Sequence, residues 1–82
     1  MSNIIVYTLP NCVQCDSTKR FLDKHDIQYN VTNLEEKPEI AKMFIEKGYK
    51  TAPIVVYIDG KNTDIWSGFK IDNLKKLVEN VL

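Results

Sequence analysis

Tyr7-Thr8-Leu9-Pro10-Asn11-Cys12-Val13-Gln14-Cys15 carries the chain from a strand-like run into a helix-like one and holds the only two cysteines of its 82 residues. Two thiols three positions apart can close on each other, open and close again. On a regular helix, Cβ atoms at that spacing stand about 5 to 6 Å apart, whereas a disulfide wants roughly 3.5 to 4.5 Å. Closure is therefore expected to pull the first turn slightly out of shape. The ring is only four residues long, and closure entropy grows with loop length. Such a bridge stabilises little and exchanges readily, which points to redox cycling rather than to a structural cross-link.

Position assigns the roles. With Cys12 at the N-terminal end of the helix, unpaired backbone N–H groups and the positive end of the helix dipole favour its thiolate and lower its pKa. Cys12 is then the attacking sulfur. Cys15, one turn further in and shielded by the helix, keeps a more ordinary pKa and is suited to resolve a mixed disulfide. These two are the candidate catalytic residues.

Working outward, Asn3 to Thr8 is a β-branched and aromatic run ended by the turn residues Leu9-Pro10-Asn11, so a strand delivers Cys12 at its carboxyl end. From Val13 to His25 there is no Gly or Pro, and Cys15, Thr18, Phe21, Leu22 and His25 form a stripe at helical spacing. Residues 26–32 alternate polar and apolar side chains as a second strand, and a strand-helix-strand unit implies a parallel pair. Glu35-Glu36-Lys37 reads as solvated loop. Pro38 opens a second helix with Ile40, Met43 and Phe44 on its apolar face, Lys47 in its last turn and Gly48 ending it.

Ile54-Val55-Val56-Tyr57-Ile58 is the most hydrophobic run and reads as a central strand buried on both faces. Asp59-Gly60 signals a hairpin, with a return strand from Thr63 to Trp66. Leu74, Leu77, Val78 and Val81 mark a last helix, with Asp72 as its cap or first-turn acid. The order β-α-β-α-β-β-α predicts an α/β thioredoxin-type fold: a four-stranded mixed sheet, covered on both faces by three helices, with the dithiol at the first strand-to-helix turn.

Length fits one domain spanning 1–82. Eleven Lys and Arg balance eleven Asp and Glu, so neither nucleic acid nor a membrane surface is indicated as a partner. Met1-Ser2-Asn3 leads straight into the first strand, without the basic and apolar segments of an export signal. No apolar run approaches the roughly 18 residues of a membrane helix. A cytoplasmic, monomeric protein is expected, in a reducing compartment where a dithiol is catalytic, sensing or metal-binding rather than structural.

Blander readings compete. A structural zinc site takes four ligands, and the sole histidine, His25, is about 15 Å along the helix from Cys15 at about 1.5 Å per residue. An intrachain metal site is thus not expected, which leaves a metal or cluster shared between two chains as the alternative of another class. The same distance makes His25 a helix C-terminal residue rather than a partner of a nucleophile. By itself Pro53 reads as a strand-start proline with a trans bond, Trp66 as a core residue, and Lys19 and Arg20 either as tuners of the thiolate or as solvated charges.

Taken together, Tyr7-Thr8, Cys12-Val13-Gln14-Cys15, Thr18-Lys19-Arg20, Ala52-Pro53 and above all Trp66-Ser67-Gly68-Phe69 before a final helix resemble the NrdH-redoxins, over nearly the whole chain. The resemblance implies a glutaredoxin-like protein with thioredoxin-like behaviour. It would be reduced by NADPH-dependent thioredoxin reductase and would pass electrons to class Ib ribonucleotide reductase for deoxyribonucleotide synthesis, with no bound cofactor beyond the Cys12–Cys15 disulfide. It implies a cis bond before Pro53, with Pro53 facing the dithiol, and a substrate or partner surface made of Val13, Gln14, Thr51, Ala52, Pro53, Trp66, Ser67, Gly68 and Phe69. Trp66 and Phe69 are expected to flank and close the area where true glutaredoxins hold glutathione. Lys70 and Ile71 stand where the family commonly has Arg and Pro, keeping a cation and Asp72. Thr51-Ala52-Pro53 also lies close to the Thr-Val-Pro pattern of glutaredoxins, so a glutathione-dependent glutaredoxin is the alternative reading.

Overall fold

A computed structural model describes residues 2–81, the side chain of Ser2 apart; Met1 and Leu82, the two ends of the expected domain, lie outside the described residues. The elements follow the expected order: β1 (Ser2–Thr8), α1 (Val13–Lys24), β2 (Asn30–Asn33), a 3-10 turn (Leu34–Glu36), α2 (Pro38–Glu46), β3 (Ile54–Asp59), β4 (Asn62–Ser67) and α3 (Ile71–Val81). The strands form one mixed sheet in the order β2-β1-β3-β4. β1 runs parallel to β2, with Val6 opposite Val31. It runs antiparallel to β3, with Val6 opposite Val55. β3 and β4 are the antiparallel hairpin around Gly60, with Val55 opposite Trp66.

Because side chains alternate across a strand, each face of the sheet collects its own core. Ile4 and Val6 of β1, Val55 and Tyr57 of β3 and Trp66 of β4 pack with Leu22 of α1, Ile27, and Leu74 and Leu77 of α3. On the other face Ile54 and Val56 pack with Leu34 and with Phe44 of α2, flanked by Ile5, Tyr7, Ile40 and Tyr49. β3 is thus buried on both faces, as its unbroken apolar run predicts.

The boundaries differ from the sequence reading in informative places. Residues 26–29 do not join β2. Asp26 takes φ +56°, its N–H donates to the Asp23 carbonyl at 3.1 Å, and the Ile27 N–H donates to the Leu22 carbonyl at 3.0 Å. That pair of bonds is a Schellman closure of α1, which consumes the start of the polar-apolar alternation and buries Ile27 against Leu22. His25 is the C-cap of α1, its ring against Phe21 with centroids 4.6 Å apart. α2 ends in the same way, with Lys47 as C-cap rather than in the last turn. Gly48 stands at φ +95°, and the Tyr49 N–H donates to the Phe44 carbonyl at 2.9 Å. Of the expected loop, Glu35 and Glu36 belong to the 3-10 turn, which Asn33 caps by accepting the Glu35 N–H at 2.9 Å. β4 is one residue longer at each end than Thr63 to Trp66.

Candidate active site

The strand-to-helix turn that carries the dithiol is shaped by Asn11, whose φ of +57° suits one of the few non-glycine residues that tolerate left-handed backbone. This turns the chain so that Cys12 becomes the N-cap of α1. The Cys12 carbonyl accepts the Asp16 N–H at 3.1 Å, and Cys12 Sγ accepts the Cys15 N–H at 3.1 Å. One of the helix's unpaired donors is therefore aimed at sulfur. The two cysteines are disulfide-bonded, with Cα atoms 5.2 Å apart, and the first turn keeps its hydrogen bond. Cys12 is half-buried, while Cys15 is 1% exposed, on the buried face of α1.

Three hydrogen-bonded ties assemble the remaining site residues. The Ser67 hydroxyl donates to the Thr51 carbonyl at 2.6 Å and accepts the Thr51 N–H at 3.1 Å. The Gly68 N–H donates to the Pro53 carbonyl at 2.8 Å. The Phe69 N–H donates to Gln14 Oε1 at 2.8 Å. The segment after β4 is thus clamped at once to the 51–53 loop and to the first turn of α1. Gly68 suits this position because it stands at φ +87° and a Cβ there would lie 3.2 Å from Gln14 Oε1. The Ala52–Pro53 bond is cis, and Pro53 is buried.

Val13, 79% exposed, Gln14, Thr51 and Phe69 lie at the surface, with Ala52 and Ser67 half-buried beside them. Trp66 is different. Its side chain does not line this surface but sits in the core at 5% exposure, with its indole N–H unpartnered. The residue that closes the segment on α1 is Phe69, through its backbone. Lys19 pairs with Asp16 at 3.7 Å, and Arg20 is exposed. Lys70 supplies the carbonyl that accepts the Leu74 N–H at 3.0 Å at the start of α3.

Two features escaped the sequence reading. Gln14 appears there as a surface residue open to a partner, but its amide oxygen is already engaged by the Phe69 N–H. The only signal was its place one residue before Cys15. Beside Thr51 and Ala52 there is also a small apolar pocket of about 80 Å³ lined by Leu9, Leu34, Ala41, Ile45 and Tyr49. Its signal was the apolar character of Leu9 and Ile45, both left substantially exposed. No group of three or more His, Cys, Asp and Glu side chains among the described residues is placed to hold a metal ion.

A buried cysteine bonded to a half-buried one whose sulfur receives a backbone N–H is an arrangement for thiol–disulfide exchange. Comparison with known proteins points the same way. The glutaredoxin family model matches residues 4–62. The glutaredoxin-like protein NrdH of Lactococcus lactis subsp. cremoris is 36% identical over 90% of this chain and 97% of its own. The Escherichia coli NrdH is 32% identical over 90% of this chain and 86% of its own. The solved structure of the E. coli NrdH-redoxin superposes with a TM-score of 0.78 at 33% identity, covering 92% of this chain and 93% of that one. The chain belongs to the glutaredoxin family, and within it to the NrdH-redoxins, thiol-disulfide oxidoreductases with a redox-capable cysteine pair such as Cys12 and Cys15.

Proposed function

We propose that this protein carries electrons from an NADPH-dependent thioredoxin reductase to protein disulfides, with class Ib ribonucleotide reductase as the target, and that it does so as a cytoplasmic monomer without a bound cofactor. The observation that carries the reading is the asymmetry of the pair: Cys12 Sγ receives the Cys15 N–H, while Cys15 is buried behind it. In the reduced protein that N–H and the helix N-terminus stabilise the Cys12 thiolate. The thiolate attacks one sulfur of the substrate disulfide, whose S–S bond breaks, and the departing thiolate takes up a proton. Cys15 then gives up its proton and attacks Cys12 Sγ, releasing the second substrate thiol. Two electrons have moved, the substrate holds two thiols, and the Cys12–Cys15 disulfide awaits the reductase. The E. coli NrdH-redoxin, described as glutaredoxin-like with a thioredoxin-like activity profile, supports this choice of electron donor.

The cysteine roles are tested by trapping. Cys15→Ser should still attack a disulfide substrate and stall as a mixed disulfide on Cys12, visible by mass spectrometry as a covalent adduct. Cys12→Ser should form none. An adduct on Cys15 in the Cys12→Ser protein would reverse the assignment.

A further inference from the structure

Resting on that redox reading, one face of α1 adds a preference that the dithiol alone does not contain. Val13, Ser17, Arg20 and Lys24 follow one another at helical spacing, so they form a stripe running down the helix from the residue next to Cys12. Beside it Phe69 and Phe21 open a shallow depression of about 230 Å³, lined also by Ser17, Arg20 and Lys24. The lining is apolar and its rim is cationic. Phe69 is 38% exposed there although its backbone is fixed to Gln14.

The charges of α1 are divided in a way that gives this rim a sign. Asp16 is paired with Lys19 at 3.7 Å, and Asp23 accepts the Tyr29 hydroxyl at 2.9 Å. Arg20 and Lys24 have no ion-pair partner among the described residues. Lys70, next to Phe69, is exposed as well. The chain is neutral as a whole, and Asp23 keeps its charge through the Tyr29 hydrogen bond, but at the positions of the track itself, 13, 17, 20 and 24, both charged groups are positive.

We propose that this face of α1, with the Phe21–Phe69 depression, holds the segment of a substrate protein that flanks its reacting cysteine, and that it prefers a segment pairing an apolar residue with acidic ones. Length sets the spacing. Val13 to Arg20 and Val13 to Lys24 are about 10 and 16 Å along the helix at 1.5 Å per residue. An extended chain covers these spans in about three and five residues. The apolar side chain would enter the depression, and acids three to five positions from the cysteine would reach Arg20 and Lys24.

Two synthetic peptides test this, sharing one Cys-Xaa-Xaa-Cys disulfide and carrying Leu at the fourth position out on both sides. One has Glu at the third and fifth positions and the other has Lys. Fully reduced protein is mixed with each, and the second-order rate of conversion of the peptide disulfide to two thiols is followed as Cys12–Cys15 closes. The ratio of the two rates on one protein sample cancels any change in thiol reactivity. The Glu peptide should react faster, on the order of tenfold at low ionic strength, and the ratio should fall towards one as salt is added. In R20E/K24E the ratio should invert. Equal rates in the wild type, or a preference unmoved by the double reversal, would overturn the proposal. A wild-type protein that reduces neither peptide nor bis(2-hydroxyethyl) disulfide would overturn the redox reading itself, and the docking proposal with it.

Discussion

At Cys12 a single backbone position does two kinds of work: its carbonyl starts the helix and its sulfur takes the N–H that the start of a helix leaves over. Spacing and position in the sequence were enough to place Cys12 at the helix N-terminus among unpaired N–H groups, because a turn ending in Asn11 is followed by an uninterrupted helical run; which N–H the sulfur takes was not. Tyr29 was not legible in the same way. Its hydroxyl donates to Asp23 Oδ1 at 2.9 Å across six residues. Burial first, then that hydrogen bond and the negative charge of Asp23, push its pKa up to about 12. A folded-state pKa above the unfolded value of about 10 adds stability that is present below pH 10 and is lost as pH rises through 12. Tyr29→Phe should therefore flatten the decline in stability between pH 10 and 12, measured by urea unfolding across that window. An unchanged decline would assign the alkaline loss to other groups.

Between elements, the site depends on one short segment. Ser67, Gly68 and Phe69 were legible as a motif, but the ties to Thr51, Pro53 and Gln14 connect residues up to 55 positions apart, and no local pattern reports such pairs. Trp66 illustrates the converse. Its place in the motif suggested a surface role, whereas the alternation of β4 sends its ring into the core opposite Val55. The end of α1 shows a third limit, since residues 26–29 alternate like a strand but a left-handed Asp26 binds the first of them to the helix. Glycine substitutions separate geometry from contact. Gly60 has φ +60° and nothing within 4 Å of an added Cβ, whereas Gly68 has φ +87° and Gln14 Oε1 at 3.2 Å. Gly60→Ala should cost about 1 to 2 kcal/mol for left-handed backbone. Gly68→Ala should cost more, because it also displaces the oxygen that receives the Phe69 N–H. Chemical denaturation of both variants checks this; equal losses would mean that the Gln14 tie contributes nothing to stability.

Across the whole molecule, layering explains why the dithiol emerges where it does. β1 lies inside the sheet between β2 and β3, and its carboxyl end passes directly into the turn before α1. That arrangement was readable from strand and helix periodicity, which depends only on local residues. What surrounds the dithiol is the product of three separated segments, and the proposed electron donor rests on it. The Thr8-Leu9-Pro10-Asn11 approach has no cation. The Phe69 N–H, a backbone donor beside the groove, is already occupied by Gln14, and Val13, Leu9 and Phe69 are exposed and apolar, with Arg20 and Lys24 further down α1 and Lys70 after Phe69. Such a surface suits the protein partner proposed above. The direct measurement is the rate of NADPH oxidation coupled to reduction of a protein disulfide, with thioredoxin reductase in one cuvette and glutathione plus glutathione reductase in the other. Rapid turnover is expected with thioredoxin reductase and at least tenfold slower turnover with glutathione, a difference of about 1.4 kcal/mol or more in the barrier; turnover as fast or faster with glutathione would contradict the proposed electron donor.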